Sequence, residues 1–279
     1  MPHVAALARY PVKGFAPEPL AVLDVQADGR VVGDRVLAFR FADAVAPEDD
    51  DGLDYWPKSR GLALQDFPSL AALRVDYDRE ALRLRISHEE ATLVEAGLDP
   101  DGRNALEDAV TTFLLDSDDA RRLRRPGRMP LSLLGDGLAA RFQDRPRGFV
   151  TLHGAASARA VGVALGQGID DRRFRSNIVI DGADAWDELA WSGEVRIGGI
   201  PFTIEQPLGR CLATHANPDT GIRDAKVLTT LTGALGRPEP VLGIAMLPVG
   251  DSRGRVGDRG SATEEVIGRI RVGDEVEVG

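Results

Sequence analysis

Apolar and polar residues alternate over several short stretches of the chain, and this period of two predicts β-strands. Residues 4–10 alternate and stop before Pro11, which is typical of the end of a strand. Residues 73–86 alternate on both sides of the polar segment Asp78-Arg79-Glu80. This second stretch therefore predicts a β-hairpin.

Two further hairpins are predicted in the second half of the chain. Residues 195–204 alternate around the pair Gly198-Gly199, which suits a tight hairpin turn. Pro201 lacks the N–H that an inner strand needs, so it favours an edge position for the second strand of this hairpin. Residues 270–278 repeat the pattern and predict a third hairpin with its turn at Gly273-Asp274.

A period of 3.6 residues predicts three helices, at residues 104–115, 155–165 and 224–236. Asn104 is followed three residues later by Glu107, a spacing typical of a capping box at the start of a helix. Strands, then helices, then strands again predict a β-rich α+β fold rather than a series of βαβ units.

Two irregular stretches set the expected domain organisation. Residues 46–61 combine acidic residues with proline and glycine and predict an exposed loop. Residues 121–130 are basic and interrupted by prolines, so they predict a connector between a domain at 1–120 and a second at 131–279. So short a basic run in an acidic chain is more typical of a solvated link than of a nucleic-acid contact.

Composition and charge narrow the class of protein. The chain is 43% hydrophobic and 28% charged, as in soluble globular proteins, and has no apolar run near the ~18 residues of a membrane span. A net charge of −10 argues against broad binding to nucleic acid or to membranes. The first residues lack the pattern of a signal peptide, so we expect a cytoplasmic protein.

The segment RFRSNIVI predicts a strand on which Arg173, Arg175 and Asn177 share one face. Two guanidiniums and an amide on one face can hold the oxygens of a phosphate or a carboxylate. The alternative is a strand end whose arginines pair with Asp170 and Asp171, and the spacing alone slightly favours this pairing.

Cys211 is the only cysteine, which excludes an internal disulfide; Arg210 precedes it and His215 follows four residues later. A neighbouring cation favours the thiolate, the form that attacks or binds a metal. Zinc takes about four ligands at defined spacing, and the sequence offers no such set here. A lone cysteine is most often a small buried apolar residue, and composition alone favours this reading.

Two basic residues stand near glycines, which let a backbone approach a ligand closely. Lys13 precedes Gly14, and Arg35 follows Gly33 by two residues. The chain has 3 lysines against 31 arginines, so each lysine is noticeable. Taken alone, each of these signals for ligand binding is weak.

The order of these pieces resembles one family. The motifs are YPVKG, GDR, HGAASARAVG, RFRSN, WSGEVRIG, RCLATHANPDTG and RVGDEV. Together they resemble the molybdenum cofactor sulfurase C-terminal (MOSC) family with its accompanying N-terminal domain, over nearly the whole chain. The resemblance implies a β-rich α+β fold in which a MOSC-type β-barrel packs with an N-terminal β-barrel-like domain and a few helices.

The resemblance also implies a site. Cys211 would be the catalytic residue and the ligand of molybdenum, because thiolate is a soft donor that suits such a centre. Basic and small polar side chains would bind the phosphate and pterin of the molybdenum cofactor: Lys13, Arg35, Ser157, Arg173, Arg175, Asn177 and Arg210. The chain departs from the family at Gly14, where a hydroxyl is common, and at Gln65, where an arginine is common.

The implied function is that of a molybdenum-dependent oxidoreductase acting on N-hydroxylated or N-oxide small molecules. One cysteine cannot hold a plant-type iron–sulfur cluster, which takes about four thiolates, so electrons would come from a separate reductase. One alternative is a carrier of the cofactor, or of sulfur as a Cys211 persulfide. Another is a metal-free transferase or lyase with Cys211 as nucleophile and His215 as base. Pyridoxal phosphate is disfavoured, because only Lys13 could form its Schiff base.

Overall fold

The computed structural model describes residues 1–44, 56–144, 148–249 and 265–279. The strands are β1 (His3–Arg9), β2 (Glu18–Leu20), β3 (Val22–Gln26), β4 (Ala38–Arg40), β5 (Leu73–Asp78), β6 (Arg83–His88), β7 (Ala91–Gly97), β8 (Ser132–Leu134), β9 (Val150–Gly154), β10 (Ile178–Asp181), β11 (Glu194–Ile197), β12 (Ile200–Gly209), β13 (Val241–Pro248), β14 (Val266–Arg271) and β15 (Val276–Val278). The α-helices are α1 (Pro100–Leu115), α2 (Ala120–Leu123), α3 (Ala155–Leu165), α4 (Asp187–Ala190) and α5 (Val227–Thr229), the last continued by a π-helical turn at Thr230–Ala234. Short 3₁₀ turns cover Lys58–Arg60, Pro68–Ala72, Asp171–Phe174 and Leu212–His215.

The largest sheet has eight strands in the order β15-β11-β12-β13-β9-β10-β1-β2. Neighbouring strands are antiparallel except β9 and β10, which run parallel because α3 carries the chain back between them. Smaller sheets pair β3 with β14, pair β4 with β8, and join β5, β6 and β7. The predicted β-rich α+β class is confirmed.

Strands from both ends of the chain enclose one apolar core, in which Val4 and Leu23 pack with Phe202. The turn before β15 also reaches the start of β1. Val4 N donates to Asp274 O at 2.8 Å, and Gly273 N donates to Val4 O at 2.8 Å. Among the described residues β15 and β2 are the two ends of the sheet, so its closure into a barrel stays a prediction.

A second apolar core lies beneath the three-stranded sheet and α1. Val75 of β5 packs in it with Leu106 of α1 and with Ala213, which follows β12. Because β1 pairs with β10 and β3 with β14, the first strands share sheets with the second half of the chain. The boundary predicted at 121–130 stays a prediction.

Two of the three predicted hairpins are confirmed, namely β5–β6 and β11–β12. The third is wrong, because β14 pairs with β3 while β15 pairs with β11. The edge position predicted from Pro201 is also wrong, since β12 lies between β11 and β13. Pro201 is tolerated because it lies opposite the end of β13. Its carbonyl accepts from Val249 N at 2.8 Å, and because proline has no N–H, only this last residue pair of the ladder lacks its second hydrogen bond.

The three predicted helices are confirmed as α1, α3 and α5 with its π-helical turn. The capping box predicted at Asn104 and Glu107 is wrong. The helix begins four residues earlier, and the Asp99 carboxylate accepts the backbone N–H three residues on at 3.0 Å, as an N-cap does. Glu107 instead accepts from Leu133 N at 2.6 Å and so ties α1 to β8.

Of the loop predicted at 46–61, residues 46–55 lie outside the described residues. In the described part, Trp56 is buried and meets Phe142 edge-on at 5.8 Å between ring centres, whereas Ser59 is exposed, so residues 56–61 are exposed only in part. The stretch 121–130 continues α2, whose Leu123 is buried in the second core. None of the helices in the described part of the chain is long and apolar enough to span a bilayer.

The side chain of Asn177 joins three strands of the largest sheet. Its Oδ1 accepts from the hydroxyl of Thr151 at 2.8 Å and from the backbone N of Thr151 at 3.2 Å. Its Nδ2 donates to the carbonyl of Ala8 at 3.2 Å. The amide thus links the start of β10 to β9 and β1, in a place that water does not reach.

Replacing Asn177 by alanine should lower the free energy of unfolding by about 3 kcal/mol, because buried partners lose their hydrogen bonds. Urea denaturation would measure this. The matched control is Asn104→Ala, on the exposed side of α1, which should change stability by no more than ~0.5 kcal/mol. Equal small effects in both variants would contradict a structural role for Asn177.

Candidate functional site

A cavity of about 260 Å³ opens beside the end of β12. Its volume is close to the lower end of the range for small-molecule sites, about 300–1,000 Å³. Six cationic side chains line it: Lys13, Arg35, Lys58, Arg173, Arg175 and Arg210. Among the described residues, Asp144 is the single carboxylate and Cys211 the single thiol in this lining. A cavity so rich in positive charge, in a chain of net charge −10, attracts anions.

Cys211 lies two residues after the end of β12, where the chain enters the 3₁₀ turn at Leu212–His215. The Thr214 hydroxyl donates to the Cys211 carbonyl at 2.9 Å and fixes this turn. The thiol is partly buried in the cavity wall. The ammonium of Lys58 lies 3.7 Å from Sγ and also donates to Gln65 Oε1 at 3.4 Å. A cation from a distant part of the chain therefore stands beside the sulfur.

Lys13 is almost completely buried, with 3% of its surface exposed. Its Nζ donates to Asp144 Oδ1 at 2.6 Å and to the carbonyl of Phe142 at 3.0 Å. Burial lowers the pKa of Lys13 to about 8, although Asp144 acts in the opposite direction. Burial alone would raise the pKa of Asp144, but the cations Lys13, Lys58 and Arg35 lower it to about 2.

Arg35 reaches the cavity from a left-handed backbone position, with φ of 55°. Its guanidinium pairs with the Asp34 carboxylate, which also accepts from Tyr10 N at 2.7 Å. The same guanidinium lies 5.1 Å from the centre of the Tyr10 ring. Burial opposes its charge, but Asp34 and Asp144 outweigh burial and hold the pKa of Arg35 above its usual value.

Arg175 and Arg210 are held by carbonyls rather than by carboxylates. Arg175 donates to the carbonyl of Phe15, and Arg210 donates to Phe174 O at 2.6 Å and to Leu242 O at 2.7 Å. Neither has an ion-pair partner in the part of the chain that the structure describes. Burial lowers the pKa of Arg175, and it lowers the pKa of Arg210 to about 10. Both side chains are therefore cations without a counter-charge of their own.

The strand predicted for RFRSNIVI begins later than expected. Residues Asp171–Phe174 form a 3₁₀ turn, Arg175 has φ of 53°, and β10 begins at Ile178. The shared strand face is therefore wrong, and the turn brings Arg173 and Arg175 to the cavity instead. Local spacing does not distinguish such a turn from the first residues of a strand.

The alternative prediction was that these arginines form ion pairs with Asp170 and Asp171. Arg173 does form an ion pair, but with a different aspartate. Arg173 pairs with Asp224 at 2.6 Å and donates to the carbonyl of His215 at 3.0 Å. Asp170 pairs with Arg172 at 2.6 Å. A carboxylate 51 residues away thus neutralises Arg173, which local spacing could not indicate.

Three residues singled out in the sequence do not line the cavity. Asn177 links strands, as described above. The hydroxyl of Ser157 is completely buried, donates to Glu188 Oε2 at 2.8 Å and accepts from Trp186 N at 2.8 Å. Nε2 of His215 accepts from Leu228 N at 3.2 Å. The structure brings together Lys13, Arg35, Arg173, Arg175, Arg210 and Cys211, and leaves Ser157 and Asn177 behind the wall.

Sequence reasoning missed two charged members of the lining, Lys58 and Asp144. They stand 153 and 131 residues from the side chains that they contact, Cys211 and Lys13. The rarity of lysine was a signal for Lys58. For Asp144 the sequence offers no signal, because a single aspartate beside arginine and proline is common in polar loops.

Gly14 lines the cavity with φ of 86°. A Cβ added there would stand 3.0 Å from the carbonyl of Leu62 and 3.2 Å from the Cα of Ala63. A side chain at this position would be strained and crowded. The local backbone therefore explains why this chain has glycine at position 14, where a hydroxyl residue is common in the family that the sequence resembles.

A family model described as the MOSC domain matches residues 140–277. Cys211 and the cations Arg173, Arg175 and Arg210 fall within the matched range. Lys13, Arg35 and Lys58 come from the part of the chain that precedes it. The cavity is thus lined by residues of the matched range and by residues that precede it.

Named relatives match shorter stretches. The molybdenum cofactor sulfurase of Drosophila yakuba is 43% identical over 60 residues, 22% of this chain and 8% of that protein. The mitochondrial amidoxime reducing component 2 of Homo sapiens is 42% identical over 53 residues, 19% of this chain and 16% of that protein. The matches therefore span small parts of both relatives. The YUAD protein from Bacillus subtilis covers 99% of this chain and 94% of its own at 10% identity and a TM-score of 0.37, which carries no argument.

The ammonium of Lys13 should titrate near pH 8 in the free protein, and Asp144→Asn should move its midpoint lower, because burial remains while the counter-charge is lost. Carbon NMR of the lysine side chains can follow this, since the chain has three lysines. Binding of inorganic phosphate should weaken as the pH rises through 8 and Lys13 loses its charge.

The matched control is Asp224→Asn, which removes a carboxylate that pairs with Arg173 rather than with Lys13. It should leave the Lys13 midpoint unchanged. A midpoint at the ordinary lysine value of about 10.4 would contradict the burial of Lys13 beside Asp144.

Proposed function

Because residues 140–277 of this chain are a MOSC domain, we propose that the protein binds the molybdenum cofactor at Cys211 and reduces N-hydroxylated or N-oxide substrates. The electrons come from a separate reductase. The two relatives that match parts of this chain are named a molybdenum cofactor sulfurase and an amidoxime reducing component. These names support this choice of cofactor and reaction.

The observation that carries the proposal is the pair of carbonyl-held guanidiniums in the cavity of Cys211. In the described part of the chain neither Arg175 nor Arg210 forms an ion pair with a carboxylate, and burial disfavours the charge of both. The cofactor's pterin carries a phosphate, and guanidiniums bind phosphate oxygens in a two-pronged geometry. The residues present therefore fit an anionic cofactor.

The donor set fits molybdenum in the same way. No group of three or more His, Cys, Asp or Glu side chains in the described ranges could hold a metal ion by itself. One cysteine suits a metal whose other ligands come with its own organic group, and thiolate is the soft donor that such a centre takes. Cys211 would supply that ligand.

Each cation then has a role. Lys13, Arg35, Arg175 and Arg210 would bind the phosphate and the pterin edge. Arg173 would remain paired with Asp224 at the wall. Lys58 would stand on the substrate side of the sulfur, where its ammonium can give a proton to an oxygen that leaves the substrate.

When bound, the cofactor would supply the two-electron redox chemistry of the reaction, held by Cys211 and the cations of the cavity. In the net reaction the N–O bond breaks, two electrons and two protons enter, and water leaves. Buried Lys13 and Arg35 are held by Asp144 and Asp34, so they bind without first being ordered, which lowers the entropic cost of binding.

The metal-free alternative needs His215 as the base for Cys211. Its Nε2 accepts from Leu228 N, so Nδ1 carries the proton and the basic nitrogen is already engaged. Burial, with Arg223 and Arg173, lowers the pKa of His215 and makes it a poorer base. The site therefore favours a bound cofactor over a Cys–His pair.

Molybdenum and pterin should each approach one per chain in protein from a host that makes the cofactor. Cys211→Ser should lose most of the molybdenum, and Arg175→Met should lower the pterin content severalfold. Elemental analysis and pterin fluorescence measure the two contents. The matched control is Arg74→Met, an exposed arginine of β5, which should leave both contents unchanged.

Folded wild-type protein from such a host with neither molybdenum nor pterin would overturn the proposal. Bound cofactor without turnover of amidoximes or N-oxides, with a strong chemical reductant present, would favour a carrier of the cofactor or of sulfur. Full activity of metal-free protein would favour Cys211 as a nucleophile.

A further inference from the structure

The segment of α2 and the turn after it is strongly basic. Within nine residues it carries five arginines and no carboxylate: Arg121, Arg122, Arg124, Arg125 and Arg128. Arg121, Arg124 and Arg125 are exposed and make no ion pair in the described part of the chain. Asp116 and Asp118 precede α2 and limit the patch on one side. Such a cluster stands out against a net charge of −10.

Side-chain contacts join this segment to the lining of the cavity. Arg122 pairs with Asp66 at 3.0 Å, and Gln65, which donates to Asp66 at 3.3 Å, lines the cavity with Cys211. The segment is also anchored from its first turn. Asp119 accepts a hydrogen bond from Ser69 N at 2.9 Å.

Two apolar side chains are exposed next in sequence to residues that line the cavity or contact its lining. Leu212, directly after Cys211, is 46% exposed, and Ile222 is 60% exposed. The loop that carries Ile222 packs against the backbone of Ser69, where a Cβ on Gly221 would stand 2.6 Å from its Cα. Arg223 in this loop donates to the carbonyl of Gln65. The loop and α2 thus hold the same short stretch of chain from two sides.

We propose that these residues form one docking face for an acidic electron-donor protein. The arginine face consists of Arg121, Arg124, Arg125, Leu212 and Ile222. The inference rests on the proposed function, which requires electrons from another protein. Small interfaces with an apolar centre and charges at the rim suit brief encounters, and the rim charges raise the rate of association.

The position of the face supports a donor rather than a nucleic acid. Leu212 is the next residue after the proposed metal ligand, so a protein seated here covers the chain beside Cys211. The positive charge of the arginine face attracts an acidic partner. The rest of the chain is acidic and repels such a partner, so it would bind at this face. A nucleic acid would meet the same repulsion over a longer surface.

The experiment reverses the charge of the face with the triple change Arg121→Glu, Arg124→Glu and Arg125→Glu. Flavodoxin, an acidic FMN protein, is the probe. Calorimetric titration with cofactor-free protein at low salt should show at least tenfold weaker binding of flavodoxin to the variant. At 0.5 M salt the difference should largely disappear, because salt screens exposed charges.

The matched control is the triple change Arg74→Glu, Arg83→Glu and Arg85→Glu on the three-stranded sheet, which alters the net charge equally. It should bind flavodoxin like the wild type. Equal weakening in both triple variants would mean that only net charge matters, and it would overturn the face. Tighter binding of the wild type to a DNA oligonucleotide than to flavodoxin would overturn it as well.

Cofactor-loaded protein separates this inference from the proposed function. With dithionite as reductant, turnover of an aryl amidoxime should be equal in the wild type and the face variant, while flavodoxin-driven turnover should fall at least tenfold in the variant. Absence of dithionite turnover in the wild type would refute the proposed function alone. Unchanged or absent flavodoxin turnover in the presence of dithionite turnover would refute the docking face.

Discussion

Like charges repel, and the central constraint on this protein is to hold six cations around one cavity. The chain meets it by giving each cation a different oxygen. Carboxylates hold Lys13 and Arg173, while backbone carbonyls hold Arg175 and Arg210. Carbonyl dipoles orient a guanidinium without neutralising it, so positive charge remains available where an anionic ligand would lie.

The fold supplies these oxygens by pairing the first strand with β10, which lies far along the chain. β1 lies beside β10, so the turn that carries Lys13 faces the turn that carries Arg175. Arg35 and Arg175 both have left-handed backbones, which are sparsely populated outside glycine. Such positions persist when the surroundings fix them, and here both side chains line the cavity with their guanidiniums over the Tyr10 ring. The amide of Asn177 secures the strands behind them.

Much of the fold followed from periodicity, because burial repeats every two residues in β5 and about every 3.6 in α1. What failed needed long-range information. The partners of β14 and β15 depend on β3 and β11, which lie far away in sequence. In the site, motifs indicated Cys211 and Arg35, whereas Lys58 and Asp144 are brought in by tertiary packing. Residues that lie close together in a motif can have different positions in the fold: Arg173 lines the cavity, whereas Asn177 lies behind the lining and links strands.

Residues of the cavity lining are held by two kinds of contact, backbone carbonyls and side chains, and this difference bears on specificity. Around Lys13 and Arg210 the partners include backbone carbonyls, which substitution of side chains leaves in place. Beside Cys211, Lys58 and Gln65 contact each other through their side chains alone. A substitution of Lys58 or Gln65 therefore changes what the sulfur of Cys211 faces, while the carbonyls that hold Lys13 and Arg210 stay in place. Under the proposed function, substitutions at Lys58 and Gln65 would alter substrate choice more than cofactor binding.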